Sequence, residues 1–159
     1  MKTHGTKALA VARALRSSPH VESVIYPGLA SHPRHDRAYA SLSPHARRFV
    51  DAYVQNDPLQ TGDFPYGGMV SFRIKGGRKE ADGFLTNTRL FTLAESLGGV
   101  ESLAEHPAQM THGSIPEAER EVLGIGENLI RLSVGVEDEE DLVRDIEQAL
   151  EAAVAVLKN

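Results

Sequence analysis

Apolar positions along this chain repeat at two periods, and the switches between them divide it into elements. Ala8, Val11, Ala12 and Leu15 recur at helical spacing. They predict an amphipathic helix over about the first seventeen residues, ended by Ser17-Ser18-Pro19. That helix has no clear lead-in, as though it began partway into a longer one. Val21 to Tyr26 is rich in β-branched and aromatic residues and reads as a short strand closed by a Pro27-Gly28 turn. After Gly67-Gly68 the pattern becomes a strict alternation, with Val70, Phe72 and Ile74 on one face and Met69, Ser71 and Arg73 on the other. Arg78 to Asn87 returns to helical spacing through Ala81, Phe84, Leu85 and Thr88. Leu90 to Ala94 and Ser102 to Ala104 are further strand candidates, the second broken by His106-Pro107. Pro116 to Leu123 reads as a short helix with proline in its first turn.

The segment Leu129-Ile130-Arg131-Leu132-Ser133-Val134-Gly135 alternates again, with Ile130, Leu132 and Val134 on the core side and Leu129, Arg131 and Ser133 on the other. A long helix from about Glu139 to Leu157 closes the chain, its stripe formed by Leu142, Ile146, Ala149, Leu150, Ala153, Val154 and Leu157. The acidic run Glu137 to Asp141 lies at its start, where carboxylates complement the helix macrodipole. Between Ala30 and Gly67 the periodicity is poorest. A short helix or two fits within Tyr39 to Tyr53, Asn56 to Pro65 reads as a linker, and residues 41–65 are expected to be an irregular excursion within one domain of 1–159. The order of elements predicts an α+β fold: a small, mainly antiparallel sheet with helices on one face. The face carrying Arg131 must then be covered by something outside this chain or border a cleft.

Composition narrows the function classes. With 159 residues, 41% hydrophobic and 25% charged, the chain falls in the ordinary globular range. A net charge of -5 without a long basic run argues against nucleic acid or an anionic membrane as the main partner. There is no cysteine, so disulfides and thiol chemistry are excluded and any zinc site needs histidine and carboxylates. Neither a signal-peptide pattern nor an apolar run of membrane-spanning length is present, which leads to the expectation of a cytoplasmic domain.

Candidate chemistry is sparse. His32, His35 and Asp36 lie close in a proline-containing loop, a weak metal pattern, and His106 and His112 flank a polar turn that suits capping or surface roles. Gly76-Gly77-Arg78 opens a helix and can hold an anion or serve as a plain strand-to-helix turn. No nucleophile elbow, phosphate loop or zinc-protease helix occurs. Arg131 is the exception, a guanidinium in mid-strand among apolar neighbours. Two readings stand: an arginine snorkelling from a half-exposed strand, or a planar fork set to hold a carboxylate by paired hydrogen bonds. The tight turn Ser96-Leu97-Gly98-Gly99 can present a hydroxyl and backbone amides to a ligand.

Three ordered motifs then stand out. Ala94-Glu95-Ser96-Leu97-Gly98-Gly99-Val100-Glu101-Ser102-Leu103, His106-Pro107-Ala108-Gln109-Met110-Thr111-His112 and Leu129 to Leu142 closely resemble the C-terminal domain of the Cys/Met-metabolism, pyridoxal-phosphate-dependent enzymes. Tyr26-Pro27-Gly28-Leu29, Ser31-His32-Pro33 and Lys2-Thr3-His4 are similar to the same family's pattern, and residues 41–65 look like an insertion relative to its shorter members. The resemblance implies the C-terminal domain of a fold type I enzyme, working in a homotetramer beside an N-terminal cofactor domain. It assigns the substrate-carboxylate role to Arg131. Ser96 matches the serine beside the cofactor-lysine linkage, Leu97 follows it in the same turn, and Thr111 matches a threonine lining the substrate pocket. Glu95 matches the acidic residue of the gamma-lyase branch, where beta-lyases and gamma-synthases usually carry a non-acidic one, so cystathionine is the implied substrate.

The chain also departs from that pattern. Family members hold pyridoxal phosphate on a lysine in a Ser-x-Thr-Lys context, and none of Lys2, Lys7, Lys75, Lys79 and Lys158 stands in one. The chain alone is therefore expected neither to bind the cofactor tightly nor to turn over cystathionine. A stand-alone interaction module descended from the domain is the competing expectation.

Overall fold

The computed structural model describes residues 1–155. The predicted end of the C-terminal helix at Leu157 and the lysine Lys158 lie outside the described residues. The elements run α1 (Lys2–Ser17), β1 (Val21–Ile25), α2 (His35–Ala40), α3 (Pro44–Gln55), β2 (Met69–Ile74), α4 (Arg78–Asn87), β3 (Thr92–Leu93), β4 (Leu103–Glu105), α5 (Glu117–Val122), β5 (Leu129–Ser133) and α6 (Glu139–Ala155). The five strands form one sheet in the order β1-β2-β5-β4-β3. Every neighbouring pair is antiparallel except β3 with β4. The architecture is α+β, as the alternation predicts.

The core forms where the two periodicities meet. Val70, Phe72 and Ile74 of β2 and Ile130 and Leu132 of β5 are fully buried, against Leu9, Val11 and Leu15 of α1 and Leu142, Ile146 and Leu150 of α6. Phe84 of α4 meets Phe72 edge-on, with ring centroids 5.3 Å apart. Helix starts are fixed by carboxylates. Asp138 accepts the Glu140 N–H at 3.0 Å at the head of α6, and Glu80 reaches back to accept the Gly77 N–H at 2.7 Å at the head of α4. That second bond removes the anion reading of Gly76-Gly77-Arg78, because the chain's own Glu80 occupies the turn. Asp145, buried on α6, accepts backbone N–H groups of Arg89, Leu90 and Phe91 and so fixes the exit from α4.

The excursion after β1 is more ordered than its sequence suggests. Segment 41–65 contains the twelve-residue helix α3, begun by Ser43 accepting the Ala46 N–H at 3.2 Å with Pro44 behind it. Ala38, Val50 and Phe64 make a small second core under it. Two arginines bind this unit to α1. Arg13 donates to Asp57 at 2.6 Å and to Asp63 at 3.0 Å, and Arg16 donates to Asp63 at 3.0 Å. Asp63, fully buried, also accepts the Ala30 N–H at 2.8 Å.

Tyr26 fills the junction of the two cores. Its buried hydroxyl oxygen accepts the Tyr66 N–H at 2.6 Å, and burial pushes the phenol well above its usual range. Gly28 lies directly beneath. A β-carbon there would fall 2.6 Å from Tyr26 Cε1 and collide with the Phe64 carbonyl. Gly28→Ala is expected to cost about 1–3 kcal/mol through overpacking. A lowered urea midpoint at constant slope is the check, and an unchanged midpoint would remove the close approach from the account.

Candidate functional site

The face of the sheet turned away from α1, α4 and α6 is built by the alternate residues of the same strands. One row crosses four strands as Ile25, Ser71, Arg131 and Glu105, each paired with the next in register. The row beside it holds Met69, Ser133 and Leu103. This face is only partly open, which corrects the expectation that nothing in the chain covers it. Residues 106–128 fold back over one end. Arg73 donates to the Gly124 carbonyl, and His106 Nε2 lies 2.9 Å from the Glu127 carbonyl oxygen. Glu105, Leu129 and Ser133 are buried, while Ile25 and Met69 remain about two-fifths exposed, at 42% and 41%.

Arg131 stands where the cover gives out. Its side chain is 39% exposed. Nη1 lies 3.5 Å from Oε2 of Glu105, which is itself only 1% exposed. A separation of 3.5 Å is at the outer limit of a hydrogen bond, so the pair is a loose single-point contact and not a closed fork. Nε and Nη2 carry no hydrogen bond among the described residues. The side chain neither snorkels away as an unpaired surface group nor is consumed by an internal pair.

The turn after β3 is anchored to this face. Gly98, at φ 100°, adopts a backbone conformation that favours glycine, and its N–H donates to Ser133 Oγ at 2.9 Å. Ser133 is two residues beyond Arg131 on the same side of β5, so the strand that displays the arginine also fixes the loop. The loop's far end is held by Ser102. Its N–H and hydroxyl donate to the two oxygens of Glu137 at 2.7 and 2.8 Å, and its oxygen accepts the Gly135 N–H at 2.8 Å. Glu137 is thus a brace between β4 and the end of β5 rather than part of a helix-start charge cluster.

Of the residues singled out from sequence, Arg131 and Thr111 come together, through Glu105, whose Oε1 accepts the Thr111 hydroxyl. Glu95 and Ser96 are exposed and Leu97 is half-buried. No hydrogen bond among the described residues joins these three to Arg131. The histidine loop forms no metal site: among the described residues no group of three or more potential ligands is placed to hold an ion. His35 instead packs on Phe64 with ring centroids 4.7 Å apart. Burial, with the charges of Arg34 and His35 added, holds His32 below its usual value.

Glu105, Ser133 and Ser102 escape sequence reading. For Glu105 a signal existed, since extending the Ser102 to Ala104 strand by one residue puts a carboxylate on the arginine's side of the sheet. Lys7 donates to the Glu137 carbonyl, Lys2 sits 5.1 Å over the Phe49 ring, and Lys75 and Lys79 are exposed. No described helix is long and apolar enough to cross a membrane.

Comparison with known proteins gives a consistent answer. The family model described as Cys/Met metabolism PLP-dependent enzyme matches residues 1–61 and 57–151. Cystathionine gamma-lyase of Bos taurus is 52% identical over 153 residues, covering 96% of this chain and 33% of that protein. The Homo sapiens enzyme is 50% identical over the same coverage. Among solved structures, cystathionine gamma-lyase from yeast aligns with a TM-score of 0.75 at 43% identity, covering 96% of this chain and 34% of the other. Cystathionine gamma synthase from Xanthomonas oryzae pv. oryzae in complex with cystathionine aligns at 0.75 and 37% identity, covering 98% and 35%. The chain spans about a third of the length of the curated relatives it matches. It belongs to the Cys/Met metabolism PLP-dependent enzyme family and resembles the cystathionine gamma-lyases within it.

Proposed function

We propose that this chain is the C-terminal, substrate-carboxylate-binding domain of a pyridoxal-phosphate-dependent cystathionine gamma-lyase, working as a cytoplasmic homotetramer. The observation that supports the reading most is the state of Arg131. The guanidinium is anchored at one nitrogen by buried Glu105, is 39% exposed, and borders the part of the sheet that no helix covers. A second domain placed there would turn a half-open face into a cleft, and burial in that cleft would strengthen the arginine's grip on an α-carboxylate. Elimination at the γ-carbon, giving cysteine, 2-oxobutanoate and ammonia, is chemistry that the bound cofactor supplies. This chain's part is to orient the amino acid and to close the site over it.

The isolated chain is expected to be inactive, because none of its lysines stands in a Ser-x-Thr-Lys context. Mixing it with a separately produced cofactor domain tests the reading. Release of 2-oxobutanoate from cystathionine by the mixture, and by neither part alone, is the expected result; a stable but inert complex would instead favour an interaction module. Glu95 carries the choice of gamma-lyase over a beta-lyase or gamma-synthase relative. In the active mixture Glu95→Ala is expected to raise the ratio of β- to γ-elimination, followed as pyruvate against 2-oxobutanoate. An unchanged ratio counts against the branch assignment.

A further inference from the structure

Thr111 matches a residue that lines the substrate pocket in the family, yet its hydroxyl is turned inward onto a carboxylate. Glu105 lies at the end of β4, directly opposite Arg131 in register, and is 1% exposed. A carboxylate buried so fully persists only where hydrogen bonds and a counter-charge replace its water. Oε1 accepts the Thr111 hydroxyl and Oε2 faces Arg131 Nη1 at 3.5 Å. Behind them, Thr111 Oγ1 lies 2.8 Å from His112 Nδ1. With the threonine proton given to Glu105, its oxygen is left to accept from an Nδ1–H of His112. The four side chains form one directed line from His112 through Thr111 and Glu105 to Arg131.

We propose that Glu105 is the positioning residue of the carboxylate clamp, with Thr111 and His112 holding Glu105 in turn; the inference rests on Arg131 being that clamp. A bidentate pair with Glu105 would occupy the guanidinium and defeat its use. A single contact at the limit of hydrogen-bond length fixes the rotamer and leaves Nε and Nη2 for a ligand. Thr111 therefore acts through Glu105, not on the substrate.

The test uses the full chain with nitrogen-15 in its arginines. In the wild type the Arg131 Nε–H is expected to have a high order parameter, against the low value of Arg48, which is exposed and makes no side-chain hydrogen bond among the described residues. Glu105→Gln, which keeps the shape and removes the charge, is expected to drop Arg131 into the flexible range, below about 0.6. Backbone shifts of α1, α4 and α6 should stay put, so that loss of order is not loss of fold. Thr111→Val removes the hydroxyl that donates to Glu105 and is expected to lower the Arg131 order in the same direction. It decides the matter if Glu105→Gln does not fold. Unchanged Arg131 order in the variants, or a wild-type Arg131 as mobile as Arg48, would overturn the proposal. Titration with sodium propionate separates the two claims. A saturable shift of the Arg131 Nε signal supports both. Full order with no response to propionate supports the positioning contact and overturns the clamp.

Discussion

Asp63→Ala is expected to detach the α2–α3 unit from α1 at a cost of about 3 kcal/mol, the scale of breaking a buried ion pair. The fully buried carboxylate joins Arg13, Arg16 and the Ala30 N–H, so its removal leaves two guanidinium groups and one amide without their common acceptor. Arg16 regains water easily, which keeps the figure toward the lower end of the range for such pairs. The loss is a large share of the roughly 5–15 kcal/mol that stabilises a typical domain. It should concentrate locally, with amide exchange in α3 accelerating more than in β2 or β5. Uniform destabilisation would contradict the account.

Acid offers the same test without mutation. Burial raises the Asp63 carboxyl, but the bonds from Ala30, Arg16, Thr61 and Arg13 outweigh it and leave the group below its usual value. At Asp57 the hydrogen bond from Arg13 is the main cause of a shift in the same direction. A carboxylate whose folded value is depressed stabilises the fold above its unfolded value, about 3.9, and loses that contribution as pH falls through the folded value. The α3 signals should therefore weaken below about pH 4, and Asp63→Ala should flatten that dependence.

Arg131→Ala is expected to lower kcat/KM for cystathionine at least about a hundredfold in the mixture with a cofactor domain, corresponding to roughly 3 kcal/mol of lost charge-assisted binding. Arg131→Lys should recover only part of it, since an ammonium gives a point charge where a fork is needed. Arg131→Ala also takes away the counter-charge of buried Glu105 and should lower the chain's own stability, and Arg131→Lys should lower it less, so activities are compared well below each variant's unfolding midpoint. A variant that kept its activity would remove the clamp from the account.

The sheet and its two faces were legible because a core on one side imposes a period of two on residue type, apolar then polar, from Val70 to Ile74 and from Ile130 to Val134, even though Ser133 is buried as well. The exposed arginine was legible for the same reason, as the residue out of keeping with an apolar strand. Its partner was not. His106-Pro107 gave a reason to end β4 at Ala104, and that boundary discarded Glu105. A helix within Tyr39 to Tyr53 was legible, but not how the excursion is held, because its order comes from distant pairings. Ala38, Val50 and Phe64 form one cluster from three segments, and Asp57 and Asp63 find their arginines on α1. Local propensity holds no trace of such contacts.

The contact between Arg131 and an α-carboxylate is tested most directly by a pair of substrates. In the active mixture, kcat/KM is measured for cystathionine and for its analogue lacking the α-carboxylate at the reacting end, with wild-type chain and with Arg131→Ala. The wild type is predicted to prefer cystathionine strongly and the variant to lose most of that preference. Equal losses on both substrates would mean that Arg131 serves something other than the carboxylate.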